Sequence, residues 1–259
     1  MRSPLRFDSI RPLVRYVDDE QAVVEAQFLA AARFPHDATP WLNRQVEVAV
    51  EIHGTDGFED ETRQLVQLEA GLGSVRLELV HPQRWWPAGM GEQSLYEFAM
   101  TMIADGKTID RRSVTLGLTS VREDPDTAGE PEPRLLVNGQ VCAIRSVLMV
   151  DRVDENQLLP AGGDSLLLVR DHYGPDLLYQ AADRAGVLLV QCVPVHPTGR
   201  PEVDVAAQVE RLGTHPSLAG WFVGHLGQIS DDIARCIQDL DPTRSVFRQF
   251  PVDTLDTAA

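Results

Sequence analysis

The hydrophobic pattern changes period part-way along the chain, and that change constrains the architecture more than any other feature. Val46, Val48, Val50 and Ile52 alternate with Glu47, Ala49, Glu51 and His53, and Val75, Leu77 and Leu79 alternate with Arg76 and Glu78. Tyr96, Phe98, Met100 and Met102 repeat the pattern. A turn at Asp105-Gly106-Lys107 follows, and Val114, Leu116 and Leu118 resume it, which predicts a hairpin; Val24, Ala26 and Phe28 supply a further strand. A period of two with one polar face marks antiparallel strands packed on one side only. Residues 1–121 are therefore expected to form an immunoglobulin-like β-sandwich.

Residues 122–134 are acidic, proline-rich and aperiodic, as in Glu123-Asp124-Pro125-Asp126 and Glu130-Pro131-Glu132-Pro133, and read as a linker. Beyond it, from 135 to 259, short apolar runs alternate with amphipathic stretches. Val141–Val150, Ser165–Val169, Val187–Val193, Leu218–Val223 and Ser245–Phe250 are the strand candidates. Leu177, Leu178, Ala181 and Ala182 fall on one helical face that Gly186 terminates. Val205, Val209 and Leu212 form a second stripe ended by Gly213, and Ser230 is placed to cap a third helix carrying Ile233, Ile237 and Leu240. Continuous apolar strands separated by helices predict a parallel sheet buried on both faces. The fold class is thus multidomain β plus α/β.

Composition narrows the partners. The chain has 259 residues, 23 Lys and Arg against 39 Asp and Glu, and a formal charge of −16, which repels phosphate and leaves no basic cluster for nucleic acid or an anionic membrane. Neither is an expected partner. No apolar run is long enough to span a bilayer, and no apolar segment follows the basic start Met1-Arg2, so no signal peptide is visible. Cys142, Cys192 and Cys236 have neither disulfide-framework nor zinc-knuckle spacing and favour a reducing, cytoplasmic compartment. No motif calls for a cofactor.

Arg84-Trp85-Trp86-Pro87, Asn138-Gly139, His215-Pro216-Ser217 and Asp241-Pro242-Thr243-Arg244 stand in one ordered series, and that series resembles glycoside hydrolase family 2, the family of β-galactosidases, β-glucuronidases and β-mannosidases. Arg84-Trp85-Trp86-Pro87 through Gln93-Ser94-Leu95-Tyr96 resembles a segment of its immunoglobulin-like domain. Gly117-Leu118-Thr119-Ser120-Val121 resembles the exit from that domain, and Asn138-Gly139 the entry to the catalytic barrel. Arg170-Asp171-His172-Tyr173, Ala182-Asp183-Arg184-Ala185-Gly186, His215-Pro216-Ser217-Leu218-Ala219-Gly220-Trp221 and Asp241-Pro242-Thr243-Arg244 continue the series. The resemblance implies a truncated (β/α) TIM-type barrel after the sandwich, and it places Trp85 and Trp86 in the sandwich as core.

The catalytic pattern departs from the family. Its retaining mechanism needs two carboxyl groups, and the acid/base Glu of the His-Pro-Ser strand is replaced by Leu226, after His225. The nucleophile strand has no expected position before Ala259, and Cys192 falls where many members carry a further Glu. The expectation is a catalytically inactive relative with a carbohydrate- or protein-binding role. The alternatives are a glycosidase completed by another chain and a hydrolase with a relocated site. Arg170, His172, Tyr173, Gln191 and His225 are the candidate ligand-binding residues at the strand ends; the competing reading makes them packing and hydrogen-bonding residues of the scaffold. His172, Cys192 and His225 are also a candidate zinc set. An open barrel side further predicts a homodimer or a protein partner covering it.

Overall fold

The computed structural model describes residues 5–32, 42–54, 57–124, 126, 134–150, 164–194, 204–224 and 227–248. Strands β1 (Leu5–Val17), β2 (Gln21–Ala32) and β5 (Leu72–Val80) form one antiparallel sheet in the order β1-β2-β5. Strands β3 (Gln45–Gly54), β4 (Glu59–Gln67), β6 (Tyr96–Ala104) and β7 (Lys107–Leu116) form a second in the order β4-β3-β6-β7. The facing sides carry the predicted alternating residues: Val48, Val50 and Ile52 of β3, Phe98 and Met100 of β6, and Leu77 and Leu79 of β5 share one core. Phe7 meets Phe28 edge-on at 5.4 Å between ring centroids. The β6–β7 hairpin turns through Asp105 and Gly106, both at positive φ, as a two-residue type I′ turn requires.

The second unit is a parallel sheet in sequential order: β11 (Ser146–Val150), β12 (Ser165–Val169), β13 (Leu188–Cys192), β14 (Leu218–Phe222) and β15 (Ser245–Phe247). Helices α1 (Asp176–Ala185), α2 (Val205–Leu212) and α3 (Gln228–Leu240) pack on one face, where Leu178, Tyr179, Val209, Ile233 and Ile237 meet Val169, Leu189 and Trp221. The other face, including Leu166, Leu168, Leu188 and Val190, is buried with Trp85 and a small antiparallel sheet of β8 (Val121–Glu123), β9 (Arg134–Val137) and β10 (Gln140–Ala143). Gly186, at φ +69, ends α1 and donates its N–H to the carbonyl of Ala182, a left-handed C-cap that glycine adopts without steric cost.

Several sequence expectations are corrected. Val141–Val150 is two strands: β10 pairs antiparallel with β9, and β11 pairs parallel with β12. The chain changes sheets at Arg145-Ser146, the polar pair that breaks the apolar run, where the Arg145 N–H donates to Asp164 O at 2.8 Å. Ser230 is not a cap. Helix α3 starts a turn earlier behind Gly227, and the Ser230 hydroxyl donates to Val223 O at 3.1 Å, tying the helix to the end of β14. Arg122 and Glu123, read as linker, lie in β8, and Arg134 lies in β9; Asp124 N donates to Arg134 O at 3.1 Å. Residues 127–133, and Phe250 of the predicted fifth strand, lie outside the described residues.

Trp85 is buried as expected, though under the parallel sheet with Leu188 and Val190 rather than in the sandwich core. Its backbone N–H donates to Leu118 O at 2.9 Å and its indole N–H to Asp183 O at 2.7 Å, so one residue joins the two units. Trp86 is half-buried, with the Arg84 guanidinium 5.1 Å from its ring centroid. Gly117 forms a second contact between the units. A Cβ there would lie 2.2 Å from Pro216 Cγ, in the loop that leads to β14. Overpacking of this kind costs about 1–3 kcal/mol, so Gly117→Ala is expected to lower the unfolding free energy by that amount and the urea midpoint in proportion, with an unchanged midpoint showing that the units do not press together there.

Candidate functional site

At its carboxyl end β12 leaves the sheet through Arg170 and Asp171, the latter at φ +63. This left-handed residue turns the chain so that His172 Nδ1 lies 2.8 Å from Arg170 O. His172 and Tyr173 then line a cleft of about 470 Å³ together with Pro194, Gln208 and Arg211. His172 Nε2 is buried in that wall with no hydrogen bond among the described residues. Arg211 closes one side, paired with Asp176 and donating to Gly174 O at 2.9 Å.

The sequence-predicted residues do not all meet there. Arg170 stands outside the cleft lining, with its Nε 3.2 Å from Asp171 Oδ2 and its guanidinium 3.9 Å from Met149 Sδ. Gln191 lies fully buried beneath. Its Oε1 accepts from Gly174 N at 3.0 Å and from the Tyr179 hydroxyl at 2.7 Å, while its Nε2 donates to His172 O at 2.8 Å and to Cys192 O at 2.6 Å. Every position of the amide is engaged, so Gln191 holds the cleft loop instead of facing a ligand. His225 and Leu226 lie outside the described residues.

The same holds for part of the candidate zinc set. Burial pushes the Cys192 thiol up to about 12, against a partial offset from Arg170. Among the described residues no group of three His, Cys, Asp or Glu side chains is placed to hold a metal ion.

The polar residues that sequence reasoning left without a role form a connected network in the second unit. Asp183 on α1 is 3 % exposed; its Oδ2 lies 2.6 Å from His215 Nδ1, and its Oδ1 accepts from the Ser217 hydroxyl at 2.6 Å and the Ser217 N–H at 3.1 Å. An activated serine requires the imidazole between hydroxyl and carboxylate. Here the carboxylate stands between the other two, at the amino-terminal end of β14, so the arrangement fixes structure and supplies no nucleophile. Arg244, 4 % exposed, donates to Leu218 O at 2.5 Å and to Thr119 O at 2.8 Å, bridging the parallel sheet to the exit from the sandwich. Burial pushes its guanidinium down and the neighbouring Asp241 carboxyl up, each partly offset by the other's charge. The His-Pro-Ser and Asp-Pro-Thr-Arg motifs were the available signal. Their function as a junction depends on long-range contacts that spacing does not encode.

Residues 15–118 match the family model described as Glycosyl hydrolases family 2. Beta-mannosidase B of Aspergillus terreus is 25% identical over 235 residues, covering 80% of this chain and 27% of its own. An exo-beta-D-glucosaminidase of Streptomyces avermitilis is 25% identical over 175 residues, covering 57% of this chain and 19% of its own. Among solved structures, a family 2 member from Bacteroides cellulosilyticus superposes with a TM-score of 0.69 at 18% identity over 95% of this chain and 36% of that one. A beta-D-mannosidase from Dictyoglomus thermophilum gives 0.67 at 18% identity over 95% and 35%. The chain is glycoside hydrolase family 2-like, and it spans about a quarter of the length of the curated relatives it matches.

Replacing the buried amide tests the role assigned to Gln191. Gln191→Leu leaves the Tyr179 hydroxyl and the Gly174 N–H without an acceptor, a loss of about 1–3 kcal/mol for each buried group left unpaired. Chemical denaturation is expected to show a drop of that order with faster hydrogen exchange at Gly174. Full stability in this variant would return Gln191 to the list of ligand contacts.

Proposed function

We propose that this family 2-like chain is a non-hydrolysing scaffold that binds a carbohydrate at the carboxyl ends of its parallel strands, its sheet forming part of a (β/α) barrel wall. Sequential strand order with the described helices on one face supports the barrel reading. The observation that carries the proposal is Leu226 in the stretch His215-Pro216-Ser217-Leu218-Ala219-Gly220-Trp221-Phe222-Val223-Gly224-His225-Leu226, at the position where the family resemblance expects the acid/base Glu. A leucine cannot protonate a leaving-group oxygen. Of the carboxylates in the described turn after β12, Asp171 is held by Arg170 and Asp176 by Arg211. The cleft beside His172 and Tyr173 retains polar surface suited to sugar hydroxyls.

The terminal strands of the sheet, β11 and β15, support the companion proposal that a second copy or a protein partner covers the open side. Among the described residues β11 and β15 each pair on one side only, Leu148 on β11 is 45 % exposed, and an unpaired strand edge invites pairing.

Aryl β-mannosides, β-galactosides and β-glucuronides are expected to pass through purified protein unhydrolysed. Leu226→Glu alone is also expected to give no turnover, because retention requires a second carboxylate about 5–5.5 Å away. Turnover above the contaminant level, abolished in an active-site variant of this chain, overturns the reading. Saturable binding of a mannoside that His172→Ala weakens supports the strand-end location; binding insensitive to that substitution refutes it.

A further inference from the structure

We propose a second binding site, for a neutral saccharide, on the outer face of the four-stranded sheet; it stands independently of the strand-end reading. The strand register builds it. Arg63 of β4 lies opposite Ala49 of β3, Ala49 opposite Thr101 of β6, and Thr101 opposite Arg111 of β7, so one row across the sheet has a guanidinium at each end and two small side chains between. On β3 the same-face neighbours of Ala49 are Glu47 and Glu51, which flank the row on either side. Long charged walls around a floor of Ala49 and Thr101 leave a groove of about 520 Å³, within the size range of small-ligand sites.

The floor carries a second, independent observation. Thr101 is 8 % exposed, and its hydroxyl has no hydrogen-bond partner among the described residues. A valine would fill the same space in a strand without burying an unpaired polar atom. The hydroxyl is satisfied once a ligand, itself able to donate and accept, enters the groove.

The walls specify what that ligand is. Glu47 and Glu51 face Arg63 and Arg111 in the lining and Glu61 beside Arg63 adds a further negative charge, so the groove disfavours an anion and offers a cation only carboxylates that arginines already face. Arg111 is 3.0 Å from Glu51 and Arg63 is 2.6 Å from Glu61, which orients both guanidiniums. Glu47 lines the groove within electrostatic reach of Arg63, and its carboxylate can accept from two adjacent hydroxyls. Planar carboxylate and guanidinium groups match vicinal hydroxyls bidentately, and the Ala49 methyl offers an apolar contact for ring C–H groups. No aromatic side chain among the described residues lines the groove, so binding there rests on hydrogen bonds and on the Ala49 contact.

Titration of the full chain by ¹⁵N–¹H correlation spectroscopy, with methyl β-D-mannopyranoside, cellobiose and chitobiose as probes, tests the site. At least one probe is expected to give saturable shifts centred on the amides of Ala49, Thr101 and Arg111, and Thr101→Val and Glu47→Gln are each expected to weaken that binding about fivefold, the loss of one hydrogen bond. Both variants are surface-face substitutions whose folding is checked by an unchanged unfolding transition. Absence of saturable shifts at these amides with all three probes overturns the groove, as do shifts that persist unchanged in both variants. Shifts confined to His172 and Gly174 also overturn it while leaving the strand-end proposal standing.

Discussion

The buried carboxylate of Asp183 is the group on which the arrangement of the two units depends. It holds His215 and Ser217 in the turn that delivers β14, and the carbonyl of the same residue receives the Trp85 indole from the sandwich side. A carboxylate at this depth is tolerable only because each oxygen has close donors. The turn that supplies those donors also places Pro216 against Gly117, so a single polar cluster fixes both the entry to a central strand and the seat of the sandwich. Arg244 completes the junction by capping carbonyls from both sides, Leu218 O and Thr119 O.

The same contacts give the polar residues of the His-Pro-Ser and Asp-Pro-Thr-Arg motifs a structural role. Asp183, His215, Ser217, Asp241 and Arg244 are engaged in packing contacts, and their loss would leave buried carbonyls or charges without partners. Gln191 is committed in the same way at the opposite end of the sheet. His172 and Tyr173 line the strand-end cleft, and Glu47, Glu51, Arg63 and Arg111 stand around Thr101 on the sandwich. Relatives such as the beta-mannosidase from Dictyoglomus thermophilum share the fold over almost the whole of this chain while extending well beyond it.

Local periodicity made much of the fold legible. The strict alternation of Val46 to Ile52 and of Tyr96 to Met102 has one cause, a sheet with one face buried, and it located β3 and β6 almost to the residue. Strand β4 was hidden because Glu59 to Gln64 is polar on both faces, as suits the edge of a sheet, and β1 because bulges near Phe7 and Val14 interrupt its alternation. Gly186 and Gly213 marked helix ends correctly since a cap is a local event. Ser230 misled because its hydroxyl answers to Val223 outside the helix. The candidate site was legible only as a neighbourhood: the motif Arg170-Asp171-His172-Tyr173 fixed the strand end, but which side chain entered the cleft was decided by the positive φ of Asp171. Thr101 gave no sequence signal at all, its place in the outer groove being set by its two cross-strand neighbours, Ala49 and Arg111.

Hydrogen exchange on an Arg244→Met variant tests most directly the claim that the retained polar residues serve the junction. The amides to follow lie on both sides of it: Trp85, bonded to Leu118 O, and Val121, bonded to Thr243 O, on the sandwich side, and Leu189, bonded to Ser217 O, in the parallel sheet. The account predicts that all three lose protection together and by a similar factor, since one cluster supports them all. Loss of protection at Leu189 with Trp85 and Val121 unchanged would contradict it.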